Sequence, residues 1–114
     1  MMAGNDQRAA VFMFDQRAGT LSKFRKGFRF FYDPAYLKSS QARPISFSLP
    51  LRAEAYESPH LFSFFDGLLP EGWLLDLTSA GAKIDKNDKF ALLLHTGRDP
   101  VGAVTVRPIA DDEQ

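Results

Sequence analysis

The first third of the chain alternates short hydrophobic runs with turn residues. Residues 10–14 are apolar throughout, residues 20–24 alternate apolar and polar side chains, and so do residues 28–30, which lead into Phe31 and Tyr32. Short runs of this kind, bounded by turn residues, predict β-strands. Gly27 lies between the second and third runs and supplies the positive φ that a tight hairpin needs. The first 33 residues are therefore predicted to form a three-stranded antiparallel meander.

The middle of the chain combines a helix-start signal with a second alternating segment. Asp33 followed by Pro34 predicts a turn or a single helical turn, with Asp33 as its cap. Residues 45–49 then have period two, which predicts a strand with Ile45, Phe47 and Leu49 on one face. Pro50 is expected to end that strand.

The second half of the chain has helical periodicity. Ser58 and Pro59 predict the start of a first helix, and Pro70 both ends it near Leu69 and begins a second helix that ends near Gly81. A third helix is predicted from a cap at Asp85 to a stop at Gly97, and residues 101–106 are predicted to form a last strand. The apolar positions of the first helix recur at intervals of three and four: Leu61, Phe62, Phe64, Phe65, Leu68 and Leu69.

Strands followed by helices and a final strand indicate an α+β domain. We expect a mostly antiparallel sheet of five or six strands with about three helices, in a single compact domain over residues 10–107. Residues 1–9 are expected to be a flexible N-terminus, and residues 108–114 a flexible acidic tail.

Charge and composition narrow the class of protein. The chain has 14 basic and 14 acidic side chains, so the excess of Lys and Arg that phosphate neutralisation requires is absent, and no direct nucleic-acid binding is expected. The local basic cluster Lys23, Arg25, Lys26 and Arg29 is interpreted as a solvated hairpin turn around Gly27. No apolar run approaches the roughly 20 residues of a membrane span, so no membrane contact and a cytoplasmic location are predicted.

Catalytic and metal-binding patterns are missing from the sequence. Without cysteine there can be no disulfide, thiolate zinc site or cysteine nucleophile. The two glycines of residues 97–102 do not form a phosphate-binding pattern, and this segment is interpreted as a turn. His60, in the first turn of the first predicted helix, and His95, in the last turn of the third, are far apart and lack partners at metal-ligand spacing. We therefore predict a protein without enzymatic activity, metal or cofactor.

The corner between the first two predicted helices is the candidate partner-binding site. The chain has 11 Phe, and most are expected to fill the core, but such a surplus leaves room for an aromatic binding surface. The single Trp can either plug the core or project from the corner as an anchor for a partner. The candidate residues are Asp66, Pro70, Glu71, Gly72 and Trp73.

Five linked motifs resemble the N-terminal subdomain of HipA-type toxin kinases, over residues 10–107. In that family this subdomain precedes the kinase core and supplies no catalytic residue. The motifs are Phe14-Asp15-x-x-x-Gly19-Thr20-Leu21, Phe28-x-Phe30-x-Tyr32-Asp33-Pro34-x-Tyr36-Leu37, Ile45-Ser46-x-Ser48-Leu49-Pro50-Leu51, Phe64-Phe65-Asp66-x-Leu68-Leu69-Pro70-Glu71-Gly72 and Gly97-Arg98-Asp99-x-Val101-Gly102-Ala103.

The span from Met1 to the acidic end is expected to be a separate gene product, similar to the small HipS antitoxins of three-component HipBST systems. The resemblance then implies direct binding and inhibition of a HipT-like Ser/Thr kinase toxin, with a HipB-like DNA-binding protein in a larger complex. It also favours Trp73 as an anchor that enters a cleft on the kinase. Two alternatives remain: a non-inhibitory N-lobe scaffold for a kinase, and an excised N-terminal part of a HipA-like kinase.

Overall fold

A computed structural model of the protein describes residues 7–69, 72–96 and 103–109, which form five strands and four helices. The strands are β1 (Gln7–Met13), β2 (Gln16–Phe24), β3 (Gly27–Tyr32), β4 (Tyr56–Ser58) and β5 (Val104–Pro108). The helices are α1 (Pro34–Leu37), α2 (Ser63–Asp66), α3 (Gly72–Ala82) and α4 (Lys89–Thr96). The strands form one antiparallel sheet in the order β4-β3-β2-β1-β5, which confirms the predicted α+β class.

The predicted meander is confirmed as the centre of the sheet. Leu21 of β2 lies opposite Ala9 of β1 on one side and Phe30 of β3 on the other. Two hairpins connect these strands, and Gly27 has the expected positive φ, of 152°. The last strand pairs with β1, with Val106 opposite Val11. It covers Val104–Pro108 rather than residues 101–106, of which 101 and 102 lie outside the described residues.

The core lies where helices α1, α2 and α4 meet the sheet. Strand residues and helix residues are buried together in one cluster, and aromatic rings make up much of it. Phe30 of β3 contacts Phe65 of α2, with ring centroids 5.7 Å apart, and Phe28 contacts Phe90 of α4 at 6.2 Å. Burying a Phe contributes roughly 1.5–3 kcal/mol, so these contacts account for much of the stability.

The strand predicted at residues 45–49 is wrong. These residues form a tight turn with an isolated bridge between Ser46 and Leu49. Ile45 and Leu49 are buried, but Phe47 is fully exposed and does not share their face. The physical reason is the Tyr32 hydroxyl, which accepts the Ile45 N–H at 3.0 Å and donates to the Leu49 carbonyl. Backbone groups that a strand would use for pairing are thus bonded to a side chain.

The first predicted helix is also largely wrong. Ser58 ends strand β4 instead of capping a helix, and its hydroxyl accepts the His60 N–H at 3.2 Å. His60 therefore lies in the connection between β4 and α2, not in a helix. Helix α2 has only four residues, Ser63–Asp66, and Gly67 follows as its C-cap. The three- and four-residue spacing of the apolar positions reflects burial of Leu61 and Phe65 from a loop and a short helix.

The other helices agree better with prediction. Helix α1 begins after Asp33 as predicted, but the Asp33 carboxylate does not cap it. That carboxylate instead pairs with Arg17 at 3.1 Å and accepts the Thr20 hydroxyl at 3.2 Å. Helix α4 is capped by Asp88 rather than by Asp85, because the Asp88 carboxylate accepts the Ala91 N–H at 3.1 Å.

Helix α3 ends close to the predicted stop at Gly81, at Ala82. Lys83 follows with a φ of 59°, and the Ile84 N–H donates to the Ser79 carbonyl at 3.0 Å. This is the C-terminal motif in which the residue after the helix takes a left-handed conformation.

Two glycines give opposite predictions for substitution by alanine. A Cβ at Gly27 would collide with the carbonyl of Ser58, which ends β4, and with Pro59, which follows it. The φ of Gly27 is also unfavourable for alanine, so Gly27→Ala should lower the free energy of unfolding by about 1–3 kcal/mol. Gly81 has open space around it inside a helix, so Gly81→Ala should raise that free energy by about 0.5–1 kcal/mol. Urea denaturation measures both. Equal effects of the two substitutions would contradict the account of Gly27.

Burial raises the pKa of Tyr32 to about 12, despite the hydrogen bond from Ile45, which favours the ionised form. The neutral phenol is thus the form that the fold stabilises. The unfolded chain loses the Tyr32 proton above its ordinary pKa of 10.0, but the folded chain keeps it to about pH 12. The contribution of Tyr32 is complete below pH 10 and is lost between pH 10 and 12, by about 1.4 kcal/mol per pH unit.

Tyr32→Phe separates the hydrogen bonds from the titration. At pH 7 we expect the free energy of unfolding to fall by about 1–3 kcal/mol, because the buried Ile45 N–H loses its partner. Above pH 10 the loss of stability with pH should be shallower than in the unmodified protein. Tyr56→Phe is the control at pH 7, since it removes an exposed bond to the Pro50 carbonyl and should cost less. Parallel stability curves above pH 10 for Tyr32→Phe and the unmodified protein would contradict the account.

Candidate protein-binding surface

Asp66 anchors the predicted corner to the rest of the domain. It is the last residue of α2, and its carboxylate lies 3.0 Å from the Lys89 ammonium at the start of α4. Directly before it, Phe65 is fully buried and packs against Phe64 and Phe30. The corner therefore starts from a fixed point, because the last turn of α2 is held both by core packing and by an ion pair.

Of the remaining predicted residues, two are not described by the structure and two are described by their backbone alone. Pro70 and Glu71 lie outside the described residues. Gly72 and Trp73 begin helix α3, but their side chains are not among those described. Their backbone position puts Trp73 in the first turn of the helix that follows the corner. The choice between a core plug and an anchor stays a prediction.

Helix α3 carries its leucines on the surface. Leu74 and Leu77 are 49% and 60% exposed, and none of the described side chains of this helix is buried. Polar contacts join the helix to the connection that follows it: Asp76 pairs with Lys86 at 3.3 Å, and the Ser79 hydroxyl donates to the Ile84 carbonyl. Two large apolar side chains exposed three residues apart on one helix face are typical of a binding surface rather than of a core helix.

A groove runs between α3 and the helices below it. Apolar walls come from Leu75 of α3 and Leu92 of α4, whereas Lys86 and Lys89 bring charge to its edge. Leu75 therefore faces the groove, whereas the more exposed Leu74 and Leu77 do not line it. Its full lining is Asp66, Gly67, Leu69, Leu75, Lys86, Lys89 and Leu92.

Sequence analysis missed part of this surface. Leu74 and Leu77 were assigned to a helix, but their periodicity did not distinguish an inward from an outward face. Leu68 at the corner is also partly exposed, at 39%. The amphipathicity of residues 72–82 is weak, so the pattern marks no single face for the core, and no sequence signal separates Leu74 and Leu77 from buried leucines.

The described residues offer few chemical groups for catalysis or metal binding. They contain no cluster of three or more His, Asp or Glu side chains that could hold a metal ion. His95 is in the last turn of α4, as predicted. The glycine-bearing segment at residues 97–102 lies outside the described part of the chain. None of the described helices is both long enough and apolar enough to cross a membrane.

The basic cluster on the β2–β3 hairpin is partly neutralised by carboxylates. Arg29 pairs with Glu57 at 2.9 Å and also lies over the Phe24 ring, and Lys23 approaches Asp88 at 3.7 Å. These pairs connect the hairpin to β4 and to the residue that caps α4. They support the interpretation of the cluster as a solvated structural turn.

Several known proteins are similar to this chain. The model of the family described as HipA N-terminal domain matches residues 9–107. An uncharacterized protein of Haemophilus influenzae is 36% identical over 97 residues, which are 85% of this chain and 88% of that protein. The protein named "Putative kinase Y4mE" of Sinorhizobium fredii is 37% identical over 79 residues, which are 69% of this chain but 19% of that protein.

The solved structure of an N-terminal domain of HipA toxin superimposes with a TM-score of 0.73 and 28% identity. The superposition covers 97% of this chain and 100% of that chain. The family match and the superposition therefore indicate the same domain.

The exposure of Leu74 and Leu77 predicts that both can be made polar without loss of stability. In the double variant Leu74→Gln/Leu77→Gln the free energy of unfolding should change by less than about 1 kcal/mol, because Leu and Gln have similar helix propensities. Leu93→Gln in α4 is the matched control, and its buried position predicts a loss of at least about 2 kcal/mol. Chemical denaturation compares the two. A loss in the double variant as large as that in the control would show that α3 belongs to the core.

Proposed function

The chain belongs to the HipA N-terminal domain family, and on that premise we propose that it is an antitoxin that acts in the cytoplasm. It binds a HipT-like Ser/Thr protein kinase toxin directly and inhibits it, as the small component of a three-component toxin–antitoxin system. A HipB-like DNA-binding protein joins the larger complex. In this proposal the kinase carries the catalytic residues, and this domain acts by binding the kinase.

The observation that carries the proposal is the exposure of Leu74 and Leu77 on α3. Among the described residues, the core is filled from the sheet, α1, α2, α4 and their connections, and no described side chain of α3 is buried. Fully burying a Leu contributes roughly 1.5–3 kcal/mol, and a partner that covers both would gain that energy. Position 73 lies one helical turn before Leu77, so a Trp there adds the residue type that most often dominates protein interfaces.

The relatives support a domain that acts as a chain of its own. The Haemophilus influenzae protein is of similar length, since the aligned residues are 88% of it. The Sinorhizobium fredii protein is named as a kinase, and the aligned residues are 19% of it, so most of that chain lies outside the aligned domain. A short chain of this family therefore fits a role in trans, on a kinase that is a separate protein.

Inhibition follows if the corner enters a cleft on the kinase. The partner-binding residues in the proposal are Asp66, Pro70, Glu71, Gly72 and Trp73, with Trp73 as the inserted anchor. Asp66 ends α2 next to the fully buried Phe65 and pairs with Lys89, so the first residue of the corner is positioned by the core packing beside it. Direct contact with nucleic acid is left to the HipB-like partner, since the net charge of this chain is zero.

The second candidate function is a non-inhibitory scaffold, the N-terminal lobe or an excised N-terminal part of a HipA-like kinase. The similarity to a longer protein named as a kinase favours it. Kinase autophosphorylation separates the two functions. The purified domain, added in increasing amounts to a HipT-like kinase, should lower autophosphorylation if it is an inhibitor, and should leave it unchanged or raise it if it is a scaffold.

Trp73→Ala tests the proposed anchor. We expect the variant to keep its melting temperature and to bind the kinase about 30-fold or more weakly, which is the range for an interface hot spot. Thermal melting and titration calorimetry measure the two properties, and Thr78→Ala, in the same helix, is the control for a local change in α3. A variant that unfolds identifies Trp73 as a core residue. A folded variant that still neutralises the kinase fully excludes it as the anchor.

A further inference from the structure

Phe47 is the most exposed large hydrophobic side chain among the described residues. Its relative exposure is 103%, which means that none of the described residues covers the ring. The next most exposed, Phe14 in the β1–β2 turn, is at 66%. Neither the core nor the proposed corner makes use of Phe47, so its position calls for another physical reason.

The turn that carries Phe47 is held rigidly on both sides. Ile45 and Leu49 are buried, and the Tyr32 hydroxyl bonds the backbone of both. Within the turn the Leu49 N–H donates to the Ser46 carbonyl at 3.1 Å. The Ser46 and Ser48 hydroxyls lie 3.0 Å apart, and the Ser46 hydroxyl also accepts the Ser48 N–H at 3.2 Å. The ring therefore projects from a fixed base.

Such a turn does not need an aromatic residue at its tip. Its hydrogen bonds come from backbone and serine groups, so a polar residue would serve the fold equally well. A Phe presented on a rigid base binds with a small loss of conformational entropy, because only its side-chain torsions have to be fixed. The arrangement is that of a preorganised anchor.

Charge indicates what the anchor enters. Residues 44–51 carry no charged side chain, although Arg43 and Arg52 border them. The tip itself carries no charge, so it fits an apolar pocket in a protein better than it fits a polyanion or an anionic membrane surface. The groove beside α3 does not suit it as a site on a second copy of this chain, since Asp66, Lys86 and Lys89 line that groove.

Under the proposed function, the protein surface is that of the kinase partner. In the Sinorhizobium fredii protein, which is named as a putative kinase, the aligned residues are 19% of the chain, so a domain similar to this one is joined there to a much longer polypeptide. Here the same fold leaves an aromatic ring uncovered. We propose that Phe47 is a second anchor, separate from the corner, which inserts into an apolar pocket on the kinase partner. This inference rests on the proposed function.

Phe47→Ser tests the second anchor. Since the ring is fully exposed, the variant should melt at the same temperature as the unmodified domain, and its affinity for the kinase should fall about 10- to 30-fold. Phe47→Leu should recover most of the affinity, because it restores an apolar side chain. Phe14→Asn is the matched control: it removes an exposed aromatic ring from another turn, where φ is 55° and Asn is well tolerated, and should leave the affinity unchanged.

The results separate this inference from the proposed function. If the unmodified domain binds the kinase and Phe47→Ser binds it equally well, the second anchor is wrong and the antitoxin proposal stands. If the unmodified domain does not bind the kinase, both are wrong. Equal losses for Phe47→Ser and Phe14→Asn would mean a general effect of apolar surface and would overturn a specific anchor. Sedimentation of the domain alone that shows self-association abolished by Phe47→Ser would assign Phe47 to a contact between copies, and would also overturn it.

Discussion

The buried hydroxyl of Tyr32 is the interaction on which the rest of this domain depends. Its ring lies in the core, edge-on to Phe30 at 5.0 Å and stacked with Tyr36 at 6.0 Å. Its hydroxyl bonds the backbone of Ile45 and Leu49, while the Tyr36 hydroxyl bonds both backbone groups of Arg43. Two phenols thus satisfy the polar groups of a long connection that has no regular structure. Because an unpaired buried backbone group costs about 1–3 kcal/mol, these bonds decide where the connection lies.

A core completed in this way leaves other elements free to bind a partner. The sheet, α1, α2 and α4 bury the large aromatic residues, and the connection between α1 and β4 covers them with Ile45 and Leu49. Helix α3 keeps Leu74 and Leu77 at the surface, and the turn keeps Phe47 there. The proposed function uses these exposed apolar groups, whereas the buried groups only support them. A binding domain with rigid supports needs no reactive side chain of its own.

Sequence patterns predicted the elements that local signals determine. Alternating runs and Gly27 located the meander, and Pro34 located α1. Apart from the cap of α4, which is Asp88 instead of Asp85, the failures involve contacts distant in sequence. Period two over residues 45–49 could not reveal that Tyr32 would take the backbone bonds, and the three-residue strand β4 was hidden by Ser58 and Pro59, which suit a helix start equally well. The site was predicted at its corner, from residue types. The exposed leucines were missed, because periodicity shows that a helix has an apolar face but not what covers that face.

We propose that this domain binds a kinase through exposed apolar side chains on α3 and on the turn at residues 46–49, both supported by the buried core. Hydrogen–deuterium exchange of the domain, alone and with a HipT-like kinase, tests it most directly. Backbone amides of residues 72–82 and of the turn at residues 46–49 should exchange more slowly in the complex, because binding there suppresses local opening. Amides of β1 and β2 should exchange at the same rate in both states. Unchanged exchange in α3 and the turn, with new protection confined to the sheet, would contradict the account.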